Sequence, residues 1–124
     1  YWAKTTSPEI LRKALDHSFN FHLLHEGKQV GLARVITDFA TFGYLSDVYV
    51  RPEHAGKGLG KWMMETILAH PELQGFRRWL LLTKDAHGLY EKFGFISPRQ
   101  SEAILERPGI AGDACAGEPK DVDI

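Results

Sequence analysis

The chain has 124 residues, with 15 Lys and Arg against 16 Asp and Glu and a formal charge of −1. Apolar residues make up 44% and charged residues 25%, the balance of one soluble globular domain, which excludes global disorder and a fibrous repeat. Near-neutral charge removes the broad basic field that would hold nucleic acid or an anionic membrane. The longest apolar run, Trp79 to Leu82, is far short of the roughly 20 residues that span a bilayer. A single cysteine, Cys115, excludes an intrachain disulfide framework and suits a reducing, cytoplasmic setting. The chain opens at Tyr1 rather than Met, with no secretory signal pattern.

The charge divides unevenly. Residues 1–107 carry 14 basic and 12 acidic groups, whereas residues 108–124 carry one basic and four acidic groups. The second stretch is rich in Gly, Ala and Pro and lacks a hydrophobic period, so it reads as an acidic tail, mobile and outside a domain spanning residues 1–107. Cys115 falls in that tail.

Ser7-Pro8-Glu9 starts a helix: Ser caps free amides, Pro suits the first helical position, and Glu favours the positive end of the dipole. Ile10, Leu11, Ala14 and Leu15 continue it to about His17. Phe19, Phe21 and Leu23 alternate with polar residues as in a strand. Glu26-Gly27-Lys28 makes a hairpin turn into a second strand that runs to about Thr37. Asp38 to Gly43 is a connection, and Tyr44 to Val50 reads as a third strand. After a glycine-rich loop, Leu59, Met63 and Ile67 share one helical face up to His70, and Pro71 stops that helix. Arg78 to Thr83 is a short apolar run of the kind covered on both faces of a sheet. Ala86 to Phe93 gives a short helix ended by Gly94. Phe95 and Ile96 begin another strand, and Ile104 to Arg107 has the pattern to close the sheet. The order predicts a mixed, mostly antiparallel sheet flanked by helices, an α/β or α+β fold.

Ala55-Gly56-Lys57-Gly58-Leu59-Gly60-Lys61 is the most informative stretch. Glycines at alternate positions between a strand and a helix let the backbone approach a ligand, and the helix start offers free amides to an anion. Lys57 and Lys61 add formal charge. The plain alternative is a tight turn with glycines for packing. A mononucleotide P-loop needs Ser or Thr after Lys, and here Trp62 follows Lys61. The dinucleotide fingerprint needs a different glycine spacing on the first strand of a parallel unit.

Val48-Tyr49-Val50-Arg51-Pro52-Glu53-His54-Ala55-Gly56-Lys57-Gly58-Leu59-Gly60 resembles the acetyl-CoA signature of the GNAT N-acetyltransferases. Ala86-His87-Gly88-Leu89-Tyr90-Glu91-Lys92-Phe93-Gly94-Phe95 is similar to that family's second landmark, a helix with Tyr ahead of an aromatic-Gly-aromatic step. The resemblance spans about Ser7 to Ile96. There are two departures. Ala55 stands where the family usually has Gln or Arg, so one side-chain contact to the pyrophosphate is lost. The family's usual first strand and helix have no room within Tyr1 to Lys4. An edge left open beside Phe19 to Leu23 would then invite pairing with a second copy of the chain.

The resemblance implies an acyl-CoA N-acyltransferase fold and acetyl transfer from acetyl-CoA to a primary amine of a small molecule or protein. It assigns the backbone of Val48, flanked by Tyr49 and Val50, to the thioester carbonyl and the pantetheine arm. It places the diphosphate on Ala55, Gly56, Lys57, Gly58, Leu59, Gly60 and Lys61. Tyr90 becomes the acid that protonates the departing thiolate, or else an aromatic packing partner of Phe93 and Phe95. Asp47, a carboxylate inside an apolar strand, is a candidate to bind or deprotonate the acceptor ammonium, or else a satisfied structural group; Glu53 is a weaker candidate for the same role. None of the six histidines forms a His-x-x-x-His pair, so no metal is expected. A non-catalytic acyl-CoA-binding or sensing module is the alternative, and a nucleotide-binding domain a more distant one.

Overall fold

A computed structural model describes residues 7–109 of the chain. Helix α1 is Pro8–Asp16, strands β1, β2 and β3 are Phe19–His25, Lys28–Thr37 and Phe42–Val50, helix α2 is Leu59–Ala69, strand β4 is Arg78–Leu81 and helix α3 is His87–Glu91. The strands form one sheet in the order β1-β2-β3-β4. The first three run antiparallel and β4 lies parallel to β3, so the mixed, mostly antiparallel sheet flanked by helices is the fold. Most of the expected acidic tail, with Cys115, lies outside the described residues, as does the segment from Tyr1 to Thr6 in which room for a first strand was in question.

Local chemistry explains most boundaries. The Ser7 hydroxyl accepts from the Ile10 amide at 3.2 Å, and Pro8 opens α1. The β1–β2 hairpin turns on Glu26 (φ 51°) and Gly27 (φ 78°), between partners His25 and Lys28; two left-handed residues give a turn whose twist matches that of the strands. The core lies on one face of the sheet, where cross-strand partners Phe21 and Ala33, and Val35 and Leu45, share the cluster with Met63, Met64 and Ile67 of α2. Burying each large apolar chain contributes about 1.5–3 kcal/mol.

Three sequence expectations are corrected at the C-terminal side. β4 is not covered on both faces. Among the described strands it is an edge, with Trp79, Leu80 and Leu81 only half-buried. A cavity of about 630 Å³ lined in part by Phe76, Trp79, Phe93 and Phe95 borders it. Phe95 and Ile96 form no strand, because the Phe95 amide is spent on the Tyr90 carbonyl at 3.3 Å, and Ile96 is exposed. Ile104 to Arg107 follows a short 3₁₀ turn and joins no ladder, with Leu105 93% exposed.

The β2–β3 connection is organised by Asp38. Its carboxylate accepts from the amides of Ala40, Thr41 and Phe42 at 2.9, 2.7 and 3.2 Å and from the Thr41 hydroxyl at 2.6 Å. The Thr41 hydroxyl first, then the Thr41 and Ala40 amides, hold this carboxyl well below the usual carboxylate range. A depressed folded-state pKa means a contribution to stability that is complete above the unfolded value of about 4 and is lost as pH falls through the folded one. Asp38→Asn is therefore less stable than the parent in urea at neutral pH, and the gap narrows progressively in strong acid. A gap that stays constant from neutral pH to strong acid would contradict the assignment.

Candidate functional site

The glycine-rich loop follows β3 directly. Pro52–His54 makes one 3₁₀ turn, closed by the Ala55 amide on the Pro52 carbonyl at 3.1 Å. Gly56 and Gly58 then adopt φ of 78° and 77°, a left-handed backbone that other residues enter only with strain. A Cβ built on either meets nothing within 4 Å. Packing therefore does not demand glycine here; the turn does, and the space beside it is open. Gly58 caps α2 without a side-chain bond, and the amides of Leu59, Gly60 and Lys61 precede the Trp62 amide, which donates to the Gly58 carbonyl at 3.0 Å. Such a helix start carries partial positive charge and free donors. Lys57 and Lys61 are exposed beside it.

Upstream, β3 parts from its neighbour. Its parallel pairing with β4 covers only Phe42 to Leu45, whereas β3 runs on to Val50. The parting coincides with a bulge against β2: Leu32 faces Tyr49 but Arg34 faces Ser46, so Asp47 and Val48 together oppose Ala33. Asp47 sits at φ 54°. An extra residue of this kind bends a strand and raises its twist, and it lies just past Leu45, the last β3 residue paired with β4. Val48 and Val50 are buried and Tyr49 half-buried.

Asp47 is held by Arg34, with Nε 2.7 Å from Oδ2 and the two side chains 13% and 9% exposed. One oxygen of its carboxylate is thus engaged by a cation of the adjoining strand. Glu53 pairs with Arg51 at 3.3 Å on the surface.

Tyr90 is 4% exposed and belongs to the same buried cluster as Val48 and Val50. Its position follows from how α3 ends. Gly94 (φ 90°) donates to Glu91 at 3.1 Å and Phe95 donates to Tyr90 at 3.3 Å, the paired bonds of a Schellman cap. The hydrophobic contact of that cap is Tyr90 against Phe95, ring centroids 6.0 Å apart. The aromatic-Gly-aromatic step is a helix stop that fixes Tyr90 inward.

Val48, Val50 and Tyr90 thus share one buried core, and Leu59, where the loop enters α2, packs against it. Sequence reading missed Arg34, although a cation in β2 and an anion in the adjoining strand were the available signal. Among the described residues, no three His, Cys, Asp or Glu side chains gather as metal ligands, and no helix is long and apolar enough to cross a membrane.

A parted strand pair leading into an uncapped, glycine-lined helix start is the frame of an acyl-transferase fold. The model of the acetyltransferase (GNAT) family matches residues 1–95, and the chain belongs to that family. A protein of Gibberella zeae named as a candidate acetyltransferase is 50% identical over 97 residues, covering 69% of this chain and 54% of that protein. The chain therefore spans about half the length of this curated relative. A crystal structure from Xanthomonas campestris pv. campestris, described as belonging to the GNAT family, is 48% identical with a TM-score of 0.84, covering 90% of this chain and 78% of that one. A Clostridium acetobutylicum structure with acetyl-CoA is 17% identical with a TM-score of 0.63, covering 86% and 74%, and shares the fold.

Gly94→Ala should cost about 1–2 kcal/mol in urea unfolding, because a methyl group at this φ is strained even where no neighbour resists it. Stability equal to the parent would mean that α3 stops some other way.

Proposed function

We propose that the protein is an acetyl-CoA-dependent N-acetyltransferase that passes the acetyl group to a primary amine of a small molecule or a protein. One observation carries this reading: the stretch of β3 released from β4 leads directly into the open, glycine-lined start of α2. A released strand offers backbone groups to an extended arm, and the helix start offers amides to a diphosphate. The same fold accompanies acetyl-CoA in the Clostridium acetobutylicum structure.

The residues fit such a co-substrate. Gly56, Gly58, Leu59, Gly60 and Lys61 would hold its phosphates mainly through main-chain donors, with Lys57 and Lys61 adding charge, and Val48 to Val50 would hold its arm. Ala55 contributes only backbone. The co-substrate supplies an activated acyl thioester. The Val48 amide is assigned to stabilise negative charge developing on the acyl oxygen. The Tyr90 hydroxyl is assigned to hold a proton at Oη for the leaving sulfur: an ordinary phenol is protonated at neutral pH, so as the carbon–sulfur bond breaks its proton can pass to the departing thiolate, which leaves as the free thiol. Asp47 has its carboxylate committed to Arg34 and is assigned no proton transfer.

Thiol release from acetyl-CoA with a panel of amines tests the reading, alongside calorimetry with acetyl-CoA, ATP and NAD. Binding of acetyl-CoA with amine-dependent release supports it. Binding without release for any acceptor favours the acyl-CoA-sensing module, which the loss of a side-chain contact at Ala55 would suit. Preference for ATP would remove the reading. Gly58→Val should weaken acetyl-CoA binding by about tenfold or more, because a side chain there enters the space assigned to the phosphates. Tyr90→Phe should lower kcat by about 10²-fold while leaving acetyl-CoA affinity near that of the parent; unchanged kcat across the pH range would end the acid assignment.

A further inference from the structure

We propose that Arg34 and Asp47 are positioning residues that latch the bulge in β3 and so fix the direction of the Val48 amide; this rests on the acetyl-transfer reading above. The bulge asks for a left-handed residue at Asp47 (φ 54°), a conformation that Asp accepts more readily than most residues but does not prefer. Something must hold it there.

Arg34 is placed to do so. It stands opposite Ser46 in the β2–β3 register, beside the extra residue. Its Nε donates to Asp47 Oδ2 at 2.7 Å, its Nη1 to Ser18 Oγ at 2.9 Å and its Nη2 to Ser46 Oγ at 3.4 Å. One rigid, planar guanidinium thus grips the first residue of the bulge and the residue before it from the neighbouring strand, a geometry that a lysine's point charge does not reproduce. Ser18 in turn donates to the Ala14 carbonyl at 2.5 Å, which ties the grip to the last turn of α1. With 13% and 9% of the two side chains exposed, neither charge is cheaply left alone.

The latch sits where its effect would matter. β3 leaves β4 after Leu45, the bulge follows at once, and Val48 is its second residue. On this account Asp47 acts through the backbone and not as a proton acceptor. Asparagine should then replace it, because Asn tolerates the left-handed region and its Oδ1 still accepts from Arg34 Nε.

The test measures kcat, KM for acetyl-CoA and the pH profile of amine-dependent thiol release. Asp47→Ala and Arg34→Met should lower kcat by about tenfold or more, with KM for acetyl-CoA within about threefold of the parent. Asp47→Asn should recover most of the turnover that Asp47→Ala loses and keep the parent's pH profile. Should Asp47→Ala not fold, Asp47→Gly takes its place: Gly enters the left-handed backbone unaided, but with nothing for Arg34 to grip the bulge is also free to leave it, so kcat should fall in the same direction. Asp47→Asn falling as far as the Ala or Gly variant, or losing a limb of the pH profile, overturns the latch and returns Asp47 to proton transfer. Undiminished kcat in Arg34→Met also overturns it. A parent protein that binds acetyl-CoA and releases thiol while these variants behave otherwise than stated refutes the latch alone; a parent that does neither refutes the acetyl-transfer reading with it.

Discussion

One strand has to belong to two ladders and then abandon one of them. β3 is held by β2 along nearly its whole length but by β4 only from Phe42 to Leu45. A buried strand that loses a neighbour exposes main-chain donors and acceptors that must find partners elsewhere. Released backbone of this kind, next to a helix start whose amides are equally open, is what distinguishes this sheet from an ordinary packed one. The bulge at Asp47 and Val48 follows two residues past the last pair with β4, and an extra residue of this kind bends the strand and raises its twist. The glycine loop and α2 are then delivered to the end of the released segment by chain continuity alone.

The core and the candidate site share residues. Val48, Val50, Ala86 and Tyr90 belong to the buried cluster that also holds Met64 and Ile67 of α2. Tyr90 enters that cluster because the Schellman cap at Gly94 folds Phe95 back over it. Packing therefore positions the groups assigned to chemistry, and a cavity made in this core would disturb the site as well as cost stability. Substitutions around Met63, Met64 and Ile67 should be read with both effects in view.

The features legible in the sequence are those decided within a few residues of chain. The Ser7 cap, the Glu26-Gly27 turn, the face of α2 and the open glycines at Gly56 and Gly58 each depend on local backbone preference, and each stands where the residues placed it. What escaped reading depends on partners distant in sequence. The bulge is a mismatch of register between β2 and β3, invisible in either strand alone. The pairing of Arg34 with Asp47 spans 13 residues and joins two strands whose residues a linear reading weighs separately. Phe95 and Ile96 have the composition of a strand, but composition does not say that the Phe95 amide is already used to cap α3. The apolar run of β4 suggests cover on both faces, but composition does not say how far neighbouring elements reach over a strand, and Trp79, Leu80 and Leu81 are only half-buried.

The main-chain character of the proposed donor site explains why Ala55 need not be fatal to it. A site built from side chains loses a contact with each substitution, whereas amides aimed by the left-handed turns at Gly56 and Gly58 survive any change that leaves those turns intact. Lost side-chain charge at Ala55 should lower affinity without changing where the phosphates lie, with Lys57 and Lys61 still supplying formal charge beside the helix start. The same logic separates the two halves of the proposed reaction. Donor binding rests on backbone geometry that the fold enforces, while acceptor choice must rest on side chains that the fold leaves free to vary. Membership of the family therefore constrains the first half strongly and the second hardly at all, and the bonds from Arg34 to Asp47 and to Ser18, with Ser18 bonded in turn to Ala14, tie the end of α1 to the strand assigned to the donor.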